Sequence, residues 1–183
     1  MNFEGINQRG SKKMYVEGNS RAAVIVPLIL GEDGEEILFT KRTTWLDEHA
    51  GQMSFPGGRY EQEDKVLKRT AIREAMEEIG IEFNEMKFIG ELDECSTITK
   101  YTITPFIVEI PDRSYTRNKK EVAKIMRYSV EDLTSVSNFE WKEHTNSNET
   151  ILLPYFYMED EVIWGATARI LVQLLETTTG WRS

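Results

Sequence analysis

The sequence predicts an α/β fold, a mixed β-sheet held between helices. Three observations carry this. Apolar runs of strand length recur along the chain, one long helical stretch interrupts them near the middle, and a second helix with an apolar face follows the last of them. The 183 residues suffice for a substantial core, and 40% hydrophobic and 29% charged content is that of a soluble globular protein. Residues 21–183 read as a single domain. Residues 1–20, polar and weakly patterned, read as an N-terminal arm or a short docked helix.

Taken in order, Ala22–Leu30 (AAVIVPLIL) is a continuous apolar run and reads as a buried strand, with Pro27 pointing to an edge or a bulge. Gly31–Gly34 is a turn signal, and Glu36–Arg42 is the returning strand of a hairpin. Thr43–Gln52 is a loop carrying Trp45 and His49. Asp64 is a good N-cap, Val66–Ile79 contains neither Gly nor Pro, and Gly80 follows as a stop, so this stretch reads as one helix of about four turns. Ile72, Ala75, Met76 and Ile79 share one of its faces at i, i+3, i+4, i+7 spacing, which makes that face the core face. Lys87–Glu94 and Ile103–Ile110 read as strands on either side of the Ser96–Thr102 segment. Arg113–Lys120 is a basic loop, the clearest basic patch of the chain, and Glu121 opens a strand to about Tyr128. A short helix, Glu131–Ser135, and a polar turn, Lys142–Glu149 with an exposed His144, lead to a hairpin of Ile151–Tyr157 and Val162–Trp164. In the final helix, Ala166–Glu176, apolar residues Ala166, Ile170 and Leu174 repeat at i, i+4, i+8 and pack it on the sheet.

The chemistry concentrates in Gly57–Ile81. Glu74, Glu77 and Glu78 are spaced i, i+3, i+4 on the face opposite the apolar one. Side chains at that spacing lie roughly 5–6 Å apart at Cβ. Three like charges this close repel, and no base follows at i+4 to relieve them. A divalent cation resolves the repulsion. Mg²⁺ takes hard oxygen ligands, keeps several waters and shares its shell with substrate phosphate. Phe55-Pro56-Gly57-Gly58, just before the helix, is a tight bend where the backbone itself can approach a metal or a phosphate. A Glu-Ala-Met-Glu-Glu run alone is more often a solvated face. The glycine bend followed by the helix is what favours a site.

This segment resembles the Nudix box, G-x5-E-x7-R-E-U-x-E-E-x-G-U with U a bulky aliphatic residue, and Gly58, Arg73, Glu74, Glu77, Glu78, Gly80 and Ile81 match it. Asp64 stands where the box has Glu, eight residues rather than seven separate it from Arg73, and Ala75 is small for its position. The departures resemble the coenzyme A diphosphatase branch, whose longer signature runs L-L-T-x-R-S-x-x-L-R-x-H-x-G-x-V-A-F-P-G-G. Here the chain reads Leu38-Phe39-Thr40-Lys41-Arg42-Thr43, then Leu46, His49, Gly51 and Ser54-Phe55-Pro56-Gly57-Gly58, with Asp47 in place of the signature Arg and Glu61 in place of an Asp. Ile103-Thr104-Pro105-Phe106-Ile107 and the Trp164–Leu171 segment also resemble that branch, so the likeness runs from about Ala22 to Leu175.

The resemblance implies a Nudix-type α/β/α sandwich with a mixed β-sheet. It also implies hydrolysis of a nucleoside diphosphate linked to another moiety, with Mg²⁺ or Mn²⁺ as cofactor. The branch implies coenzyme A or its derivatives as substrate, giving 3′,5′-ADP and 4′-phosphopantetheine. Glu74, Glu77 and Glu78 would be the metal carboxylates, with the Gly57 carbonyl as a further ligand, and Arg73 would orient a glutamate. Glu121 falls on the position of an additional catalytic or metal-binding Glu, although a charge there also protects a strand edge. The general base is Glu121 or Glu74. On the substrate side the resemblance offers Arg42, His49, Gly58, Lys100 and Tyr101. Taken alone, Arg42 is equally a strand-end arginine paired with a carboxylate, His49 a hydrogen-bonded structural residue, and Lys100 and Tyr101 a solvated hairpin tip. Two alternatives stay open: hydrolysis of another nucleotide (an oxidised nucleoside triphosphate, ADP-ribose or a nucleotide sugar), and a Nudix-fold module that senses a nucleotide without cleaving it.

Composition narrows the partners. A net charge of −9 argues against a general nucleic-acid binder and against an anionic-membrane binder, and for the small-nucleotide substrate that the resemblance implies, a bound metal and a few local bases would have to reverse the field at the site. The single Cys95 excludes an intrachain disulfide and a cysteine-based zinc site, and His49 has no second His near it. Residues 1–14 contain no apolar signal region and Ala22–Leu30 is too short to span a bilayer, so a cytoplasmic protein is the expectation. The sequence leaves a homodimer open.

Overall fold

The computed structural model describes residues 1–14, 16–31, 34–44, 51–145 and 150–183. Its frame is an eight-stranded sheet of β1 (Ser20–Gly31), β2 (Gly34–Arg42), β3 (Met53–Ser54), β4 (Gly57–Arg59), β5 (Lys87–Glu91), β6 (Cys95–Ser96), β7 (Tyr101–Glu109) and β8 (Val122–Ser129). The long β1 lies in the middle. It runs parallel to β7 from Ser20↔Tyr101 to Leu28↔Glu109 and antiparallel to β4 and β2, which makes the sheet mixed. A second, three-stranded sheet orders β9 (Phe139–Thr145), β10 (Thr150–Tyr157) and β11 (Val162–Trp164) as β11-β10-β9.

The period of two along the strands sorts the core into two layers. Val26 and Leu28 of β1, Ile37 and Phe39 of β2, and Ile107 of β7 face one side, where helix α4 (Gly165–Thr179) covers them with Ile170, Leu171, Leu174 and Leu175. Ala23, Ile25 and Ile29 of β1, Leu38 of β2, and Phe106 and Val108 of β7 face the other, under helix α2 (Leu67–Ile79) with Ala71, Ala75 and Ile79. The result is an α/β/α sandwich. An N-terminal helix, α1 (Glu4–Arg9), joins the α4 side: Ile6 is buried there, and Asn2 N–H donates to Thr178 O at 2.7 Å. Helix α3 (Val130–Thr134) is capped by Ser129, whose hydroxyl accepts from Asp132 N–H.

Four local expectations are corrected. Pro27 lies neither on an edge nor at a bulge. It sits within central β1, paired with Val108, on the flank where β4 pairing stops at Val24 and β2 pairing starts at Leu28. Ile25, which shares that flank, donates to Pro56 O, so the missing proline N–H falls in a gap between partners and leaves no ladder bond broken. Lys142–Thr145 is the end of strand β9 and not a turn, because β10 supplies it with partners from Leu153 back to Thr150. Asp64 does not cap α2. It closes a separate 3₁₀ turn, Gln62–Asp64, and the chain reverses at Lys65, φ 64°, before Val66 caps the helix. The face of α2 is also rotated: Met76 is 40% exposed, while Ala71, Ala75 and Ile79 are fully buried, so the core face runs through the alanines.

The rotation is testable by unfolding. Met76→Gln should change stability by less than about 0.5 kcal/mol, whereas Ala75→Leu, forced against the sheet, should cost about 1–3 kcal/mol.

Candidate active site

The site assembles where β4 passes between β1 and α2. Gly58 is opposite Ala23 and Tyr60 N–H donates to Arg21 O, so alternate groups of β4 turn toward β1. The remaining ones turn toward α2: Gly57 N–H points to Glu78 Oε2 at 3.4 Å, and Arg59 O accepts from Arg73 Nη2 at 3.1 Å. Strand geometry turns the Gly57 carbonyl the same way as its N–H. No side chain fits here. A Cβ on Gly58 would lie 2.4 Å from the Glu74 carboxyl, and one on Gly57 would lie 2.4 Å from Ala23 O.

The carboxylates of α2 are therefore not on one solvated face. Glu78 is 2% exposed and turns inward beside the glycine bend. Burial pushes its carboxyl up to about 8; Arg42 and the Gly57 N–H pull against this, while Glu74 and Glu121 add to it. Burial also raises Glu74, opposed by Arg73 and reinforced by Glu77 and Glu121. Glu77 is more than half exposed, 4.0 Å from Arg73 Nη1.

Relief for the triplet comes from before it in sequence. Arg73 Nη1 donates to Glu74 Oε1 at 2.8 Å, while Nε and Nη2 grip both oxygens of Asp64 at 2.9 and 3.0 Å. Asp64 is 6% exposed and also accepts from Thr70 Oγ1 and Glu61 N–H. The Arg73 hydrogen bonds hold its carboxyl well below the usual carboxylate range. The reversal at Lys65 takes up the additional residue between Asp64 and Arg73, and the two still meet as a fork.

Arg42 and Glu121 reach the same place from the sheet. A register shift at Lys41/Arg42 ends the regular β2–β8 pairing, and Thr43 N–H donates to Glu121 O at 2.9 Å, which sets Arg42 and Glu121 on neighbouring backbones. Arg42 Nη1 stands 3.9 Å from Glu78 Oε1, and its buried Nε has no protein partner among the described residues. Asn118, which sequence reasoning missed, ties this group to α2. Its N–H donates to Glu78 O at 2.9 Å, and its side-chain amide donates to Glu121 Oε1 at 3.2 Å. No sequence signal distinguishes it from any other loop asparagine.

A cleft of about 670 Å³ opens in front of the glycine bend. Arg42, Gly57, Gly58 and Tyr101 line it, as does Arg59, whose guanidinium lies 5.2 Å from the centre of the Tyr101 ring. Arg59 was legible as the base following the glycine pair. The far wall is apolar, from Ile98, Ile151, Leu153 and Trp164. His144 also lines the cleft, stacked on Tyr155 with Nε2 2.6 Å from its hydroxyl. Lys100 is not part of the lining: it is an exposed turn residue with φ 60°. In the basic loop, Arg113 is engaged by Glu85, Gly80 O and the Tyr115 ring. His49, with Trp45, Leu46 and Asp47, lies outside the described residues. Cys95 is buried and its thiol pushed up by burial.

Among the described residues no three carboxylates, imidazoles or thiols already converge on one point. The donor set nevertheless fits a hard cation. It comprises carboxylate oxygens and a carbonyl at a side-chain-free cradle, and the carboxylates raise one another's proton affinity.

The α/β/α sandwich, the carboxylate-bearing helix and the glycine bend are those that the resemblance read from the sequence implies. The chain belongs to the Nudix family, the NUDIX domain model matching residues 19–149. It is 32% identical over 165 residues to a protein of Photorhabdus laumondii named uncharacterized Nudix hydrolase NudL, covering 90% of this chain and 88% of that one. In fold it resembles a MutT/nudix family protein from Enterococcus faecalis (TM-score 0.60, 12% identity, 87% and 62% of the two chains covered). It also resembles the Nudix hydrolase RenU of M. smegmatis (TM-score 0.53, 17% identity, 63% and 73% covered). The protein is thus a Nudix pyrophosphohydrolase of a nucleotide-linked substrate, in a family that generally uses divalent metals. No helix among the described residues is long and apolar enough to cross a membrane.

Asp64→Asn leaves the Arg73 guanidinium without its charged partner and should lower unfolding stability by about 2–3 kcal/mol at neutral pH. Because the folded-state carboxyl lies below its ordinary value of 3.8, the wild-type contribution is complete above that pH and is lost as pH falls below it. The stability gap to the variant should therefore close on acidification and stay constant toward alkaline pH.

Proposed function

We propose that this protein hydrolyses coenzyme A or its derivatives at the diphosphate, giving 3′,5′-ADP and 4′-phosphopantetheine. The observation that carries the hydrolytic part is the meeting of Glu78, Arg42 and Glu121 at the bend that opens into the cleft. The substrate follows from the likeness to the coenzyme A branch. The cleft agrees with it, because its apolar wall suits a pantetheine arm.

In this reading Glu74, Glu77, Glu78 and the Gly57 carbonyl hold Mg²⁺ or Mn²⁺. Such an ion, when bound, offsets phosphate charge and lowers the pKa of water. Arg73 fixes the Glu74 carboxylate through its bond at 2.8 Å, with its own orientation set by Asp64. Arg42, at the cleft wall, presents a guanidinium to a phosphate oxygen. Glu121 or Glu74 accepts the proton of the attacking water. Asn118 restrains Glu121 relative to Glu78.

The reading predicts that coenzyme A is cleaved faster than dephospho-coenzyme A, ADP-ribose or nucleoside triphosphates, in Mg²⁺ or Mn²⁺ and not with a chelator. Folded Glu78→Gln should lose roughly 10³-fold in kcat, the scale of removing a group that acts on transition-state charge. Near-normal turnover by that variant removes the metal assignment, and a preference for ADP-ribose removes the coenzyme A assignment.

Asn118→Ala tests the restraint on Glu121. It should lower kcat by about 10-fold with little change in KM, the pattern of a group that matters in the transition state and not in binding. Glu121→Gln should lower kcat further. If Glu121 is only an edge charge, both variants will keep wild-type kinetics.

A further inference from the structure

The turn that joins β10 to β11 is docked on the main sheet by charge. Lys41 of β2 and Lys124 of β8 stand directly opposite each other across the two strands. Both lie on the α4 side of the sheet, since Lys41 follows Ile37 and Phe39 at the strand period of two. Like charges directly opposed on one face are destabilising. The turn Met158–Glu161 answers both of them. Glu161 accepts from Lys41 Nζ at 2.5 Å, and Asp160 accepts from Lys124 Nζ at 2.6 Å and from the Tyr128 hydroxyl at 3.3 Å. Met158 N–H closes the turn by donating to Glu161 O at 2.9 Å. The two ion pairs are unequal. Lys124 and Asp160 are about half exposed, and a pair in that setting contributes little. The Glu161 side chain is only 14% exposed, so its pair with Lys41 is weakly screened, and removing one partner leaves the other charge partly buried and unmatched.

What this contact holds is a wall of the cleft. The cleft draws its lining from both sheets, with Ala22, Val24 and Ile103 from the main sheet and Ile151, Leu153 and Trp164 from the small one. Glu161 immediately precedes β11, which ends in Trp164. Lys41 pairs with Met53, another lining residue, and immediately precedes Arg42. Helix α4 also joins the two sheets, and its Thr167 hydroxyl donates to Met53 O at 3.1 Å. Apolar packing under a helix is non-directional. An ion pair at hydrogen-bond length fixes a distance as well.

We propose that Glu161 is a positioning residue for substrate binding. Its bond to Lys41 holds the β10–β11 turn against the main sheet and so sets how far the apolar wall stands from the glycine bend. Neither Lys41 nor Glu161 is among the described residues lining the cleft, so their effect reaches a ligand through Trp164, Leu153 and Met53. A wall remote from the reacting bond acts alike on the ground state and the transition state. Loosening it raises KM and leaves kcat in place. The inference applies to any nucleotide-linked substrate and does not rest on coenzyme A being that substrate.

The test is a double-mutant cycle on the full-length protein, with thermal melts showing each variant folded. Rates are measured on whichever of a panel of nucleoside diphosphate derivatives, coenzyme A and ADP-ribose among them, the wild type turns over fastest. Glu161→Gln should raise KM about three- to tenfold with kcat within about twofold of wild type. Lys41→Gln should do the same, and the two together should raise KM no further than either alone, because they remove one interaction. Backbone hydrogen exchange in the same variants, followed without substrate, should quicken in β10 and β11 and stay as in wild type in β1 and β7. An unchanged KM in Glu161→Gln overturns the proposal, as does a loss confined to kcat, KM effects that multiply in the double variant, or exchange that quickens equally in β1 and β7. Cleavage of ADP-ribose with coenzyme A left intact would discard the proposed substrate and leave this test in force.

Discussion

The contact on which the rest depends is that of two glycines with a carboxylate helix. At Gly57, β4 can pass β1 only without a side chain, since a Cβ there would lie 2.4 Å from Ala23 O, and a Cβ at Gly58 would displace the Glu74 carboxyl 2.4 Å away. That closeness buries Glu78 and half-buries Glu74, and burial makes their charges costly. A structure built only for stability would place apolar residues there. The acids are tolerated because helix and sheet are clamped on both sides of them, by Ala71, Ala75 and Ile79 under the sheet and by Arg73 on the outer edge.

The clamp explains the importance of Asp64. An arginine beside three glutamates has many partners and no single orientation. Asp64 occupies Nε and Nη2 and leaves Nη1 for Glu74. The orientation of one α2 carboxylate is thus set nine residues upstream of Arg73, at the end of a 3₁₀ turn. Glu121 is restrained by the same logic from another segment, through Asn118 and the Thr43 backbone. Each restraint uses a main-chain group as well as a side chain, and main-chain groups move only when an element moves.

Much of this was legible in the sequence. The strands followed from apolar runs, and the helix, the bend and the acidic triplet from residue types at fixed spacing. What sequence reasoning misplaced was the side of α2 on which Glu78 lies. Sorting by polarity put it with the solvated acids, although it lies seven residues, or two turns, after buried Ala71. Alanine carries little hydrophobic weight, so the stripe Ala71, Ala75, Ile79 was weaker on paper than one through Met76. Pro27 misled for a related reason: its cost depends on which neighbour stands at that flank, and pairing partners are set by topology. In the basic loop the Arg113 guanidinium is engaged by Glu85, a pairing that counting charges along the chain does not reveal.

The charge layout also resolves how a chain of net charge −9 takes a polyanion. Acids and bases meet at the glycine bend: Glu74 and Glu78 approach it from the helix, Glu74 paired with Arg73, and Arg42 comes within 3.9 Å of Glu78 from the cleft in front. At Gly57 and Gly58 the bend is one strand thick and lacks side chains, so groups on both sides would act on a ligand laid against it. Under the proposed function the acids would take a cation and Arg42 an outer oxygen of the anion, each in a partly dry setting where charge is weakly screened. Long-range repulsion by the acidic surface falls off within a Debye length of about 8 Å at physiological salt. Local geometry at the bend, and not overall charge, therefore decides what the cleft accepts.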